Sequence, residues 1–324
     1  MATSLIRRMM QALLVIFAMT VIVFVGVNVI GNPVDILINP DANQAERARV
    51  IAHYGLDQPL WRQYLAFLSG LIHGEFGDSF VYNRPALGLI LDRLPATLEL
   101  AISALLIALV IGLPLGLYAG IYPERLPSRV IMSGSILGFS LPTFWVGLML
   151  IMVFAVELGW LPTNGRGETV EFLGVHWSFL TMDGLSHLLL PAFNLALFKT
   201  SLVLRLTRAG MQEVLPQDFI KFARAKGVRE QRVIFVHALK NLMIPVVTII
   251  GLEFGSLIAF SVVTESIFAW PGMGKLIIDS INLLDRPVIV AYLMMMVLLF
   301  VTLNFVIDIC YTLLDPRVRL DSKA

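Results

Sequence analysis

A single cysteine, Cys310, is all the thiol this chain has, which excludes an internal disulfide and any metal cluster built on thiolates. Charge is scarce too. Only 15% of the 324 residues are Asp, Glu, Lys or Arg, against about a quarter in an ordinary soluble domain, so a water-facing surface cannot be covered. The five histidines are scattered with no ligand spacing, and no glycine-rich nucleotide loop, low-complexity tract or short repeat occurs. What remains is apolar: 57% hydrophobic residues and a mean hydropathy of +0.82. Such a chain belongs in lipid.

A helix needs about 20 apolar residues to cross a bilayer. Six runs meet or approach that length: 9–30, 96–121, 130–156, 188–204, 242–264 and 288–314. None alternates with a period of two, so the backbone must satisfy itself as helix. The expected fold is an all-α polytopic membrane protein with six transmembrane helices. Arg7 and Arg8 precede a first run too long for a signal peptide and without a small-residue cleavage site, so it reads as a retained span. Cys310 falls in the last run and reads as a packing residue.

Basic residues orient the bundle. Segments 1–8, 122–129, 205–241 and 315–324 hold 15 of the 24 Lys and Arg, and the alternate connections hold 8, mostly in one long loop where charge matters little. Both termini are expected in the cytoplasm. The organisation is then a first span (1–30), an external loop (31–95), a core (96–314) with a cytoplasmic loop at 205–241, and a tail (315–324). Within the external loop, Asp57 as cap and Pro59 in the first turn predict a helix with Leu60, Trp61, Tyr64, Leu65, Leu68, Leu71 and Ile72 on one face. That face suits a membrane surface or the bundle, and less readily a docking partner.

Two charges fall in mid-span. Lys199 and Glu253 each lie about 16 Å from a span end, where an unpaired charge costs at least about 2.5 kcal/mol. They are candidates for a mutual pair and for the lining of a solute path. The alternative is a snorkelling lysine and a protonated or hydrogen-bonded glutamate. Asp308, Glu99 and Glu157 lie nearer span ends, within reach of water. Pro142 and Pro245 should bend their spans.

The cytoplasmic loop carries a short predicted helix: Pro216 in its first turn, Asp218 at the positive end of the dipole, Lys226 at the negative end and Gly227 as terminator. Helical spacing puts Phe219, Phe222, Ala223 and Lys226 on one face, two aromatic knobs beside a small residue. An ordinary inside-positive loop fits the composition equally well.

The run ARAKG at 223–227, with HALKN at 237–241, resembles the coupling motif of ABC importer permeases of the dipeptide and oligopeptide branch; Lys240 stands where the general permease motif has proline. RLPATLEL at 93–100, LGWLP at 158–162, LPA at 190–192, TESIFAWPGMG at 264–274 and LDPRVR at 314–319 are similar to that branch in the same order, over nearly the whole chain.

The resemblance implies a permease of the first-subunit type with a type I importer fold. Asp218, Phe219, Phe222, Ala223, Arg224, Ala225, Lys226 and Gly227 would form the helix that docks on an ATPase. Trp270, Pro271 and Gly272 would form a turn at an outer gate or a binding-protein contact. It also implies a second, different permease, two cytoplasmic ATPases holding ATP and Mg, and an external solute-binding protein, in the bacterial inner membrane. No cofactor, metal or nucleic acid is expected on this chain, which is not itself an enzyme. Peptide is the leading solute, with glutathione, a nickel chelate, an opine or an oligosaccharide as alternatives. An ion-coupled secondary transporter would need an inverted repeat with broken helices, and none is evident in the sequence.

Overall fold

The structure is a computed structural model that describes residues 2–29, 44, 48, 51–52 and 57–314. Of the long external loop, residues 31–56 apart from 44, 48, 51 and 52 lie outside the described residues, as does the tail, and with the tail goes all but the first residue of the motif at 314–319.

The described chain is helical apart from one hairpin. Its elements are α1 (Ala2–Val29), α2 (Leu60–His73), α3 (Ala86–Ile121), α4 (Leu126–Ser140), α5 (Thr143–Leu150), β1 (Val170–Phe172), β2 (Val175–Trp177), α6 (Met182–Val214), α7 (Asp218–Ala225), α8 (Leu239–Ile267), α9 (Met273–Asn282) and α10 (Arg286–Leu314). α5 continues as a wider π-helical stretch, Ile151–Glu157, and a second, Val233–Ala238, leads into α8. Pro245 is accommodated within α8.

Among the described residues five helices are long and apolar enough to cross a membrane, or six if the bent pair of α4 and the α5 segment is one span. The expected third span is not one continuous helix: α4 and the α5 segment meet at an angle of 104°. Pro142 causes the break. A residue before proline avoids helical geometry, and Leu141 is extended (φ −79°, ψ 135°) with Pro142 capping α5. Other expected ends also move: α3 begins at Ala86, ten residues before the expected span, and α6 runs past it to Val214. Helix α9 occupies a stretch whose sequence reads as a plain connection.

The chain forms two compact units. The first comprises residues 1–94 and 276–302. In it α2 lies against α1: the Thr20 and Tyr64 hydroxyls hydrogen-bond at 2.8 Å, and Phe24 meets Tyr64 edge-on at 5.2 Å and Phe67 at 5.7 Å. Asp57 does not cap α2; Pro59 stands at the cap and no side chain serves there. The contact face is therefore built on Tyr64 and Phe67, while Leu60, Trp61, Leu65 and Ile72 stay exposed.

The second unit comprises 95–275 and 303–324. Its long helices approach closely because Gly112, Gly116 and Gly120 recur every fourth residue on α3, the small-residue spacing that lets membrane helices touch backbone to backbone. A Cβ on Gly116 would lie 2.6 Å from the Thr207 Cβ and 2.7 Å from the Leu204 carbonyl oxygen of α6. Gly116→Val is expected to lower stability by about 3 kcal/mol. Thermal unfolding of the purified chain checks this, with Gly134→Val as the neutral control because a Cβ on Gly134 would meet nothing within 4 Å outside its own helix backbone.

Candidate functional site

Three places in the second unit gather the residues that sequence chemistry singles out, and two buried carboxylates show their roles only in the structure.

The first is α7. Gln217 occupies the cap, so Pro216 precedes the helix instead of lying in its first turn. Asp218 opens the helix, where a negative charge suits the dipole, and pairs with Lys221 at 3.0 Å. Gly227 (φ +73°) ends it: its N–H donates to the Arg224 carbonyl, and the Val228 N–H donates to that of Ala223. A residue with a side chain is strained there.

Ile220 and Ala223 are buried in a cluster with Met211 and Val214 of α6, Val233 and Ile234 of the π-helical lead-in, and Leu242, Val246 and Ile250 of α8. Ala223 therefore belongs to the inward face, not to the aromatic one that helical spacing suggests. Phe219 (39% exposed) and Phe222 (61% exposed) face outward, and the Lys226 ammonium lies 4.4 Å from the Phe222 ring centre. One side of the helix is thus welded to two long helices and the other presents uncovered aromatics.

A fork fixes α7 to the segment leading into α8. Arg224 donates to Glu230 through Nε (3.1 Å) and Nη2 (2.6 Å). The hydrogen bonds hold the Glu230 carboxyl below its usual range and raise the Arg224 guanidinium. A lowered carboxyl contributes stability present above its unfolded pKa and lost as pH falls through the lowered folded value, so the fork is intact at neutral pH. Glu230→Gln should speed amide hydrogen exchange in α7 severalfold at pH 7, with the difference vanishing in acid below the carboxylate range.

The second place is the α6–α8 interface. Lys199 Nζ donates to Glu253 Oε2 and, at 2.6 Å, to Ser256 Oγ. Ser256 Oγ lies 2.8 Å from that same carboxylate oxygen. The lysine side chain is 7% exposed but that of the glutamate is 33% exposed, so the triad is closed on one side and open on the other. The mid-span charges thus meet, which removes the need for Lys199 to snorkel.

The third is the turn after α8. Trp270 is wholly buried and its Nε1 donates to the Ala96 carbonyl at 2.9 Å. A Cβ on Gly272 would collide with the Glu265 carboxyl group. Pro271 is half-buried between them. The indole is therefore enclosed by this chain itself, and an outer-gate or binding-protein role for Trp270, Pro271 and Gly272 rests on the resemblance alone.

The fourth, which organises this turn, is Glu265. Fully buried, it accepts from Thr97 Oγ1 (2.7 Å), Ser261 Oγ (2.9 Å) and the Lys275 N–H (3.0 Å), and Thr97 Oγ1 accepts in turn from the Met273 N–H. In the sequence it lies inside a family-like string with nothing to distinguish it.

The fifth is Glu99. Its position near a span end suggests contact with water, yet its side chain is fully buried. Arg166 donates to one of its oxygens at 3.0 and 2.6 Å, and the Ser178 and Phe179 N–H groups donate to the other. This pair anchors the connection that carries the β1–β2 hairpin. Among the described residues no group of three or more His, Cys, Asp or Glu is placed to hold a metal.

Known proteins are similar to this chain over nearly its whole length. Residues 112–320 match the family described as binding-protein-dependent transport system inner membrane component, and residues 1–101 match the N-terminal model of such membrane components. The oligopeptide transport system permease protein AppB of Bacillus subtilis (strain 168) is 41% identical over 98% of this chain and 100% of its own length. The di/tripeptide permease DppB of Pseudomonas aeruginosa (strain UCBPP-PA14) and the glutathione permease GsiC of Escherichia coli (strain K12) are each 37% identical over 98% of this chain and 99% of their own. A chain of the MetNI methionine ABC transporter, in an inward-facing conformation, shares the fold with a TM-score of 0.56 at 16% identity, over 70% of this chain and 96% of that one.

Proposed function

Because the chain belongs to the binding-protein-dependent transport system inner membrane component family, we propose that it is a permease subunit of an ATP-driven ABC importer of peptides, coupled to its motor through α7. The observation that carries this reading is the division of α7 into a welded face, Ile220 and Ala223, and an open one, Phe219 and Phe222. A lever needs both. Burial of an isoleucine side chain contributes about 2 kcal/mol, so a push on the aromatic face is transmitted to α6 and α8 before α7 detaches. ATP binding can favour one arrangement of the spans only through contacts that differ between arrangements. A rigid helix at the ATPase is where those differences would be made.

In this scheme two cytoplasmic ATPases bind ATP and Mg, a second permease completes the path, and an external binding protein delivers the solute. Residues 218–227 and both termini face the cytoplasm, and the membrane is the bacterial inner one. The α6–α8 triad lies on the path, its half-open Glu253 placed to meet the ammonium end of a peptide. Peptide is favoured by the oligopeptide and di/tripeptide permeases among the relatives; glutathione, itself a tripeptide, is the second reading through the GsiC relatives.

The test is uptake of labelled di- and tripeptides and of glutathione by cells that depend on this chain. Peptide uptake that stops when the cognate ATPases are removed is expected, together with their co-purification on the tagged permease. Uptake persisting without them would end the proposal.

A further inference from the structure

In the first unit, α10 begins on an arginine that has no hydrogen-bond or ion-pair partner among the described residues. Arg286 is 7% exposed, and its Nη2 is buried with no hydrogen-bond partner among the described residues. The adjacent Asp285 is already committed: its carboxylate accepts from the Ser79 hydroxyl and from the Phe80 N–H at 3.2 Å. A guanidinium withdrawn from water and left unpaired is among the costliest arrangements in a protein. A fixed position for it implies an anionic partner.

Arg286 lines a cavity of about 230 Å³ whose wall includes Phe67, Phe76, Phe80 and Val290, with Glu75 also on it. Three features describe the occupant. Arg286 is the first residue of the apolar run Arg286–Ile307, so it stands at the level where hydrocarbon gives way to headgroups. The N-terminal end of a 29-residue helix adds positive potential at that point. Beside the cavity, α2 leaves Leu60, Trp61, Leu65 and Ile72 exposed, an apolar surface with a tryptophan as at a membrane interface.

A small hydrated anion would gain nothing from three phenylalanines and would be repelled by Glu75. A zwitterion with a hydrocarbon tail uses all of them. We propose that this cavity binds a phosphatidylethanolamine molecule of the bilayer, its phosphate on Arg286, its ammonium toward Glu75 and its first acyl carbons along Phe67, Phe76 and Phe80. Inorganic phosphate shares the anion but lacks the ammonium and the chain.

The test uses the purified full-length chain in delipidated detergent, with and without added phosphatidylethanolamine. Without lipid, Arg286→Met removes an unpaired cation and raises the unfolding midpoint by about 3 °C. With lipid the order reverses, because only the wild type gains the bound phosphate. Native mass spectrometry is expected to show one retained lipid on the wild type, at least tenfold lower occupancy on Arg286→Met, and partial recovery with Arg286→Lys.

Val290→Trp fills the cavity without touching the charge and should lose the lipid equally, so the idea stays testable if the arginine variant does not fold. Inorganic phosphate at millimolar concentration should not reproduce the lipid effect. The proposal is overturned by absence of a saturable one-to-one lipid complex on the wild type, by equal occupancy in the variants, by a midpoint shift of the same sign in both conditions, or by phosphate acting as well as lipid.

Discussion

A chain carrying Phe222→Asp is expected to fold, to reach the membrane in normal amount and to import less than a tenth of the wild-type flux. The folding half follows from exposure: Phe222 lies 61% open, outside the cluster that holds α7 in place. Aspartate also leaves the helix itself unharmed, since it stands four residues before Lys226 and replaces a ring–ammonium contact with an ion pair of the favourable orientation. The transport half follows from what an aromatic knob does in a groove. Central aromatic anchors contribute about 2–4 kcal/mol to docking, and a charge in their place must also be desolvated. That weakens a contact by a factor of about 30 to 1,000, and co-purification of the ATPases should fall with the flux.

The neighbouring positions supply the control. Ile220→Asp on the same eight-residue helix should abolish folded protein, because it puts an unpaired carboxylate into a site with no exposure. The expected pattern along α7 is therefore loss of coupling at 219 and 222 and loss of fold at 220 and 223. Normal uptake by a well-expressed Phe222→Asp chain would remove α7 as the contact, whatever the family assignment.

The elements that composition and period describe well are those whose cause is local. Spans are legible because hydrocarbon thickness dictates a run length, and α7 is legible because Asp218 and Gly227 mark its ends within ten residues. Its inward face is legible only in part, since four residues at helical spacing do not reveal which side the bundle covers. Ala223 shares a stripe with Phe222 but its methyl group faces the core. Glu99 and Glu265 illustrate a different limit. Each is held by partners 67 to 168 residues away, and nothing in the local pattern distinguishes a carboxylate at a wet helix end from one sealed beneath a loop. The break at Pro142 lies between. Its cause is local, yet bend and complete interruption have the same sequence signature, and only packing around the gap decides.

The triad at Lys199 is where stability and transport can be separated, through an inequality between its two halves. Glu253→Gln should cost more than Lys199→Met, about 3 kcal/mol against about half that. The lysine left behind is almost wholly enclosed, whereas a stranded glutamate keeps Ser256 and is one-third exposed. The double variant Lys199→Met with Glu253→Gln strands neither, so its unfolding midpoint should return close to wild type, a coupling that two independent residues would not show. Its uptake should nonetheless stay at least tenfold low if the triad lies on the path as proposed, because the exposed edge of Glu253 would then receive a peptide ammonium and an amide carries no charge to do so. Recovery of stability together with full uptake would make the pair a fastening between α6 and α8 and move the search for the solute's charge partner elsewhere on the path. Recovery of stability alone would leave Glu253 as the residue that greets the substrate, with Lys199 as its counter-ion.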